Sequence, residues 1–368
     1  MNKTSILNKE SLESFRQENK LQPFRIKQIN QEIFQNSNVK FDEMTSLSKD
    51  LRNKLNENFE ILSIKADKIV EWEESTKISF ETKDWKVLES VLMYHWHTKE
   101  NWEKKLNRIT LCVSSQVWCA VGCIFCVTWK LWFMANLSWE DIISQLIFAN
   151  NYVKEKFWKK EDWTYHKVRN IVFMWMWEPL LNYENVKKSI QVMLWQWYWF
   201  SLSKRHITVS TSWIIPGIKK MLEDNIECML AISLHAANQE LREKLVPIWS
   251  KYKLDELIDV LDEYYKKTWN RLFHEYIMIK DMNDKPEHAK QLAKLLKHQN
   301  CHINLIPYNE NPAMPELQES EHKTIKEFKN IAEKNWLTVT IRQNMWRDEK
   351  WACWQLGWEK VSKAKTTD

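Results

Sequence analysis

Glycine is nearly absent from this chain, which has three glycines among 368 residues. Average usage of about 7% would give roughly 26 glycines in a chain of this length. The sequence also lacks any uncharged apolar stretch approaching the roughly 18 residues of a membrane-spanning helix, and its first residues lack the apolar segment of a secretory signal. We therefore expect a cytoplasmic protein without a membrane segment.

Tryptophan is as abundant as glycine is scarce, with 23 residues. Many of these tryptophans lie in polar turns, where positive φ is needed and a bulky ring has nothing to pack on, as at Trp85, Trp96, Trp269 and Trp336. We hypothesise that a stop codon reassigned to glycine in the source organism was translated here as tryptophan. A truly Trp-rich protein would instead place its rings at core-facing spacing. Ordinary TGG codons at these positions would refute the hypothesis.

Cysteine usage points to a metal site. The chain has seven cysteines, an odd number, and three of them crowd together at Cys119, Cys123 and Cys126. This pattern suits a metal site in a reducing compartment better than a disulfide framework. The formal net charge of +5 permits an RNA partner without requiring one.

The hydrophobic pattern divides the chain into four parts. Residues 1–60 carry helical periodicity and predict a small helical N-terminal accessory or RNA-binding domain. Residues 61–104 alternate with period two around Asp84-Trp85 and predict a linking β-hairpin. Residues 105–345 alternate short β-branched runs with amphipathic helices, and residues 346–368 form a C-terminal loop with a cysteine and a polar tail.

Six βα units over residues 105–345 predict an α/β fold with a parallel sheet and right-handed crossovers. We expect a partial (β/α)6 barrel, similar to a TIM barrel, whose functional site lies at the carboxyl ends of the strands. The predicted strands are Ile109–Val113, Asn170–Met174, Ile207–Ser210, Met229–Leu234, Phe273–Ile279 and His302–Ile306.

The strongest chemical signal is the spacing of Cys119, Cys123 and Cys126 in the loop after the first barrel strand. Three thiolates at this spacing can hold three irons of a [4Fe-4S] cluster and leave the fourth iron open to a ligand. The alternative is zinc, which needs a fourth ligand such as Cys112 or His235 to close its tetrahedron.

Polar residues follow several of the predicted strands. Alone, a Ser or Asn at a strand end is more often a helix cap, a Glu a solvated charge and a His a satisfied core residue. Their shared placement at strand ends favours a binding site instead. The residues concerned are Glu178, Ser210, Ser233, His235 and Asn309, together with the apolar Leu234 between Ser233 and His235.

Several motifs together resemble one known family. The cysteine loop and the preceding residues from Leu111 are similar to the signature of radical S-adenosylmethionine (SAM) enzymes of the RlmN family, the dual-specificity methyltransferases that modify C2 of adenine in RNA. The resemblance extends through Met174–Asn182, Val209–Pro216, Ala231–Ala236, Ile303–Asn309 and Trp351–Leu356. The family pattern has glycine where this chain has Trp175, Trp177, Trp213, Trp351 and Trp354, which supports the recoding hypothesis.

The resemblance implies a radical SAM fold with a [4Fe-4S] cluster on the three cysteines and two SAM molecules used per turnover. It implies that SAM contacts the backbone at Trp177 and the residues Glu178, Ser210, Ser233, Leu234, His235 and Asn309. Cys353 would be methylated first and then carry that carbon to the RNA. Cys112 would release the product through a transient disulfide with Cys353, and Glu89 would accept a proton.

Plainer interpretations of these three residues remain. Buried inert thiols are the default for Cys112 and Cys353, and Glu89 can be an exposed strand residue, although it would share a face with Val87 and Val91. The implied partners are 23S rRNA, tRNA and an electron donor such as flavodoxin or ferredoxin, and a monomer is expected. Cys228 and Cys301 match no motif and are predicted to be structural.

Two other functions stay open from the sequence. A sister family methylates C8 of adenine in rRNA and shares nearly all of these motifs. A non-catalytic RNA-binding or zinc module could also retain the fold. Finally, indoles at Trp175, Trp177 and Trp213 would crowd the backbone near SAM, so we predict that the chain as written folds poorly or is inactive and that the glycine version works.

Overall fold

A computed structural model describes residues 3–98, 104–117, 119, 121–126, 134–157, 164–174, 178–195, 200, 202–212, 214–247, 252–311 and 314–342. The chain divides into two compact units. The first unit comprises residues 1–115, 137–172 and 184–207, and the second comprises residues 116–136, 173–183 and 208–368.

The first unit begins with the helical N-terminal segment, which contains α1 (Lys9–Glu18), α2 (Pro23–Asn30) and α3 (Lys49–Asn58). Short polar side chains start two of them, since Asn8 accepts a hydrogen bond from the Ser11 amide and Ser48 accepts one from the Leu51 amide. Two short parallel strands, β1 (Thr4–Ser5) and β2 (Phe59–Glu60), bring the ends of this segment together.

The predicted hairpin is the centre of a longer antiparallel sheet. Its two strands are β4 (Ser75–Thr82) and β5 (Val87–Thr98), and they are flanked by β3 (Ile64–Glu71) and β6 (Lys104–Cys112). The sequence pattern missed β3 because most of its side chains are exposed and polar. At its carboxyl end, β6 also pairs in parallel with β9 (Asn170–Phe173).

The first unit also contains a long helix, α4 (Trp139–Lys156), which contacts the N-terminal segment. Ser138 and Asp141 form a capping box at its start, which satisfies amides that the helix leaves unpaired. Near its end, the Asn151 side chain donates to the Ser37 carbonyl at 3.0 Å, and Lys154 Nζ donates to the Asn36 carbonyl and to Asn38 Oδ1 at 2.7 Å each. The segment between α2 and α3 is therefore hydrogen-bonded to the last turns of α4. The next helix is α5 (Tyr183–Leu194).

The second unit contains five parallel strands, which pair in their chain order. They are β10 (Ile207–Thr211), β11 (Met229–Ser233), β12 (Leu272–Met278), β13 (Cys301–Pro307) and β14 (Thr338–Ile341). β12 and β13 are buried along almost their whole length, as expected for strands of a parallel sheet covered on both faces.

Helices separate these strands, so the second unit repeats the predicted βα pattern. They are α6 (Ile215–Glu223), α7 (Gln239–Leu245), α8 (Leu254–Thr268), α9 (Pro286–Leu296) and α10 (His322–Lys334). Two short antiparallel strands, β7 (Gln116–Val117) and β8 (Ala135–Asn136), flank the cysteine loop.

Three tryptophans adopt left-handed backbone conformations in exposed turns. Trp85, Trp269 and Trp336 have φ values of 62°, 56° and 69°. The three residues are 80%, 77% and 96% exposed, in the same order. Only glycine adopts this conformation without steric cost. These positions support the hypothesis that glycine is the natural residue there.

Candidate active site

The described part of the cysteine loop, residues 121–126, contains a turn and lies between β7 and β8 in the chain. The Cys126 amide donates to the Cys123 carbonyl at 3.1 Å, and the Ile124 amide donates to the Leu245 carbonyl at 3.0 Å, which anchors the loop to the end of α7. Gly122 has a φ of 78°, a conformation that favours glycine. The loop thus presents its three thiols towards one cavity of the second unit.

The three thiols are close enough to influence one another. Burial raises the pKa of Cys123 well above its ordinary value, and the neighbouring Cys126 and Cys119 thiols raise that pKa further. A bound cation reverses such repulsion because thiolates are its ligands. Within the residues described, no group of three His, Cys, Asp or Glu side chains is already gathered around a metal position. The donor set, three cysteines around one cavity, fits a [4Fe-4S] cluster with one open iron.

Polar side chains from neighbouring strands surround the same cavity. Ser210 on β10, Ser233 on β11 and His235 just beyond β11 were predicted from the sequence and all line it. The parallel arrangement of β10 and β11 brings these strand ends to one edge, which is why residues distant in sequence meet there.

His235 is held as a neutral hydrogen-bond donor. Its Nδ1 accepts from the Ile277 amide at 3.1 Å, so in the neutral ring the proton lies on Nε2. Burial, helped by the positive charge of Arg242, lowers its pKa to about 3. The ring also packs edge to face on Phe125 of the cysteine loop, with centroids 5.0 Å apart.

Glu178 forms hydrogen bonds within the protein beside the cavity and is not part of the cavity lining. Its carboxylate is completely buried and accepts hydrogen bonds from the Leu180 amide (3.0 Å), the Thr211 hydroxyl (2.8 Å) and the Ser212 amide (2.5 Å). Burial raises the pKa of Glu178 to about 7 although these donors oppose the shift. Glu178 therefore fixes the carboxyl end of β10, next to Ser210.

The remaining predicted cofactor residues have other positions. Leu234 is completely buried, and its amide donates to the Glu275 carbonyl at 2.9 Å. Asn309 is half-buried two residues beyond β13 and is not part of the described cavity lining. Trp177 lies outside the described residues.

Sequence reasoning missed two charged residues of the cavity, Glu275 on β12 and Arg342 beyond β14. Glu275 Oε1 accepts from the Asn304 side chain at 2.8 Å, while Arg342 Nη1 lies 3.7 Å from Glu275 Oε2. Burial raises the pKa of Glu275. The sequence contained a signal for Glu275, since a carboxylate in a predicted strand of mostly apolar residues indicates a functional position.

Glu89 and Cys112 lie on adjacent strands of the first unit. Val91 pairs with Cys112 across β5 and β6, and directly paired residues of an antiparallel sheet point to the same face. Glu89 is two residues before Val91 and shares that face. Their side chains are 12% and 3% exposed, so Glu89 is not the solvated strand residue of the plainer interpretation.

The other cysteines divide simply. Cys353 lies outside the described residues. Cys228 and Cys301 are buried away from the cavity lining, and burial raises the pKa of each to about 12, as expected for structural thiols. The six cysteines of the described ranges form no disulfide with one another.

No helix in the part of the chain that the structure describes combines the length and hydropathy that crossing a bilayer requires.

Comparisons with known proteins point in one direction. Residues 6–61 match the family described as the ribosomal RNA large subunit methyltransferase N-terminal domain, and residues 113–296 match the radical SAM superfamily. A probable dual-specificity RNA methyltransferase RlmN from Dictyoglomus turgidum is 40% identical over 85% of this chain and 84% of its own length. A relative of the same description from Aquifex aeolicus is 36% identical over 93% of each chain.

Among solved structures, a radical SAM methyltransferase from Sphaerobacter thermophilus superposes with a TM-score of 0.84 at 31% identity, covering 96% of this chain and 98% of the other. This likeness confirms the fold class predicted from the sequence.

Proposed function

The chain belongs to the RlmN family of radical SAM RNA methyltransferases, and we propose that it methylates C2 of a specific adenine in 23S rRNA and of an adenine in the anticodon loop of tRNAs. The observation that carries this proposal is the cavity in which the cysteine loop meets Ser210, Ser233 and His235. A zinc or RNA-binding module has no need of such a cavity beside three cysteines.

Cys119, Cys123 and Cys126 would hold the [4Fe-4S] cluster. When bound, the cluster and two SAM molecules per turnover supply the one-electron chemistry and the methyl group. Ser210 and Ser233 offer hydroxyls to SAM, and His235 offers its Nε2 proton. Glu178 acts through Thr211 and Ser212, which it holds in place, and the backbone near Trp177, Leu234 and Asn309 completes the proposed contacts.

Three protein groups would carry the transfer to RNA. Cys353 carries the methyl carbon and bonds it to C2 of the adenine. Glu89 accepts the proton that leaves C2. The Cys112 sulfur then attacks the Cys353 sulfur, so that a sulfur–sulfur bond forms as the bond between the Cys353 sulfur and the carbon breaks, and the proton from the Cys112 thiol goes to the released carbon and completes the methyl group. The shared sheet face of Glu89 and Cys112 supports their joint role.

The target adenine has to be unstacked to reach a buried site, which favours looped RNA over continuous duplex. The proposed partners are therefore 23S rRNA, the anticodon loop of tRNA and a reductant such as flavodoxin or ferredoxin. RNA substrates and such a reductant suit a cytoplasmic enzyme, and we propose separately that it acts as a monomer.

The test is anaerobic reconstitution followed by mass spectrometry of nucleosides from treated 23S rRNA fragments and tRNA. It uses the chain as printed beside a version carrying Trp175→Gly, Trp177→Gly, Trp213→Gly, Trp351→Gly and Trp354→Gly. We expect 2-methyladenosine in both RNAs with the glycine-bearing version.

Two other results would contradict the proposal. Formation of 8-methyladenosine without 2-methyladenosine would assign the sister activity. Stoichiometric zinc without iron or sulfide, and no EPR signal after reduction, would assign a zinc module.

A further inference from the structure

Lys77 lies on the same face of the first unit's sheet as Glu89 and Cys112. It pairs with Val91 across β4 and β5, and Val91 pairs with Cys112 across β5 and β6. Because paired residues of antiparallel strands point to one face, Lys77, Val91 and Cys112 form a row across three strands. Glu89 stands in the next row, opposite Ser79.

Lys77 and Glu89 form a buried ion pair. Lys77 Nζ lies 3.3 Å from Glu89 Oε1, and the two side chains are 4% and 12% exposed. The Ser79 hydroxyl donates a long hydrogen bond of 3.5 Å to the same carboxylate oxygen. A carboxylate this deep is costly without a compensating charge, so Lys77 is what allows Glu89 to remain an acceptor there.

The second carboxylate oxygen of Glu89, Oε2, takes no part in the ion pair. Glu89 Oε2 is buried and has no hydrogen-bond partner among the described residues. Leaving a buried acceptor unsatisfied is destabilising, so an ion pair that served stability alone would be expected to satisfy it. The arrangement leaves one carboxylate oxygen available to receive a proton.

The backbone beside Glu89 is held in place by a web of buried polar groups. The Ser114 hydroxyl donates to the Glu89 carbonyl at 2.5 Å, and the Ser90 hydroxyl donates to Gln145 Oε1 at 2.5 Å. Gln145 in turn accepts from the Ser114 amide at 2.8 Å and donates to the Ser114 carbonyl at 3.0 Å. These hydrogen bonds fix the position of the Glu89 backbone relative to Ser114, which follows β6. The ion pair with Lys77 fixes the orientation of the Glu89 carboxylate.

We propose that Lys77 is the positioning residue for proton removal, holding Glu89 by Oε1 so that Oε2 faces the substrate carbon. This inference rests on the proposed function, in which Glu89 takes the C2 proton. In that step the C2–H bond breaks, its electron pair stays on the purine and an O–H bond forms at Oε2. Lys77 keeps its charge throughout and exchanges neither protons nor electrons with the substrate.

The experiment compares Lys77→Met, Lys77→Arg and the surface control Lys65→Met in the reconstituted full-length, glycine-bearing enzyme. Three quantities are measured: methylation of Cys353 by peptide mass spectrometry, covalent protein–RNA adduct on denaturing gels, and 2-methyladenosine released. They separate early steps, which do not need Glu89, from proton removal.

We expect Lys77→Met to methylate Cys353 normally, accumulate the covalent adduct and release product roughly 100-fold more slowly, the scale of a general base. Lys77→Arg, which keeps the charge, should restore most of the release, and Lys65→Met should match the parent.

Three outcomes would overturn the inference. They are normal release by Lys77→Met, an equal defect in Lys77→Arg, and loss of Cys353 methylation in Lys77→Met, which would show a merely structural pair. If the parent itself forms neither methylated Cys353 nor 2-methyladenosine, the proposed function fails and this inference falls with it.

Discussion

Trp336 has a side chain that its left-handed backbone conformation disfavours. At the end of α10 the Leu337 amide donates to the Ala332 carbonyl and the Trp336 amide donates to the Glu333 carbonyl, the bonding of a Schellman motif. Trp336 occupies the left-handed position of that motif, where glycine is preferred. The Trp269 amide likewise closes the last turn of α8 on the Tyr265 carbonyl.

We predict that Trp336→Gly and Trp269→Gly each raise the free energy of unfolding by about 1 kcal/mol, because a non-glycine residue pays that much in the left-handed region. Urea unfolding followed by circular dichroism measures the change. As a control, Trp139→Gly should destabilise, since Trp139 starts α4 and its ring lies under Lys188. Destabilisation by Trp336→Gly would count against glycine as the natural residue.

His274 predicts a dependence of stability on pH. It is fully buried, its Nε2 hydrogen-bonds Gln299 at 3.0 Å, and burial lowers its pKa from 6.5 to about 4. Below pH 6.5 His274 is protonated in the unfolded chain but stays neutral in the folded protein. The free energy of unfolding therefore falls as the pH drops towards 4. The slope is at most about 1.4 kcal/mol per pH unit.

Urea midpoints between pH 7.5 and 5 test this as a series. His274→Asn should make the acid-side slope shallower, and the exposed His97→Asn should leave it unchanged. Equal slopes in all three proteins would show that His274 is not the responsible group.

At the scale of elements, α6 is packed against the turn that follows Glu178. A Cβ added to Gly217 would lie 2.6 Å from Leu180 Cβ, closer than such atoms approach, and the Leu180 amide is one of the donors to Glu178. The distance between α6 and the turn therefore also affects the hydrogen bonds by which Glu178 fixes Thr211 and Ser212 at the end of β10.

We predict that Gly217→Ala destabilises the protein by roughly 1 to 3 kcal/mol through overpacking and loosens the Pro179–Asn182 turn. Lys219→Ala, at an exposed position of the same helix, should be nearly neutral. Thermal unfolding and amide exchange of Leu180 report the two effects. Unchanged exchange with unchanged stability would mean that the helix can move aside.

Much of the element pattern was predictable. The sequence pattern predicts a helix over Trp139–Lys156, which agrees with α4 at both ends. It also predicts a helix over Leu254–Tyr265, and in the structure α8 continues to Thr268. Local periodicity and caps determine such segments. The pattern failed at β3, whose exposed polar residues form a strand only because β4 lies beside it.

On the scale of the whole molecule, the N-terminal helices share a unit with α4 and the antiparallel sheet. The sequence predicts a small helical N-terminal domain over residues 1–60, but it does not indicate which later residues this segment contacts, because those residues lie more than 100 positions further along the chain. Asn151 makes such a contact with the Ser37 carbonyl.

We predict that Asn151→Ala lowers the free energy of unfolding by about 1 to 3 kcal/mol, because it leaves a buried carbonyl unsatisfied. Amide exchange should accelerate in α1–α3 and in α4 together. Glu155→Gln, on the exposed side of α4, is the matched control. Faster exchange in α4 alone would indicate that the N-terminal helices are stable without this contact.

The alternation of strands and helices in the second unit and the position of the cysteine loop could be inferred from the chain, because they depend on neighbours within a few residues. The direction of each carboxylate could not. Glu178 lies in one of the motifs that resemble the family, yet its carboxylate turns inwards to Thr211 and Ser212, whereas Glu275, which was not among the predicted site residues, lines the cavity. The pairing of Lys77 with Glu89 likewise exists only once β4 lies against β5. These arrangements depend on strand register and burial, which bring together groups that local sequence keeps apart.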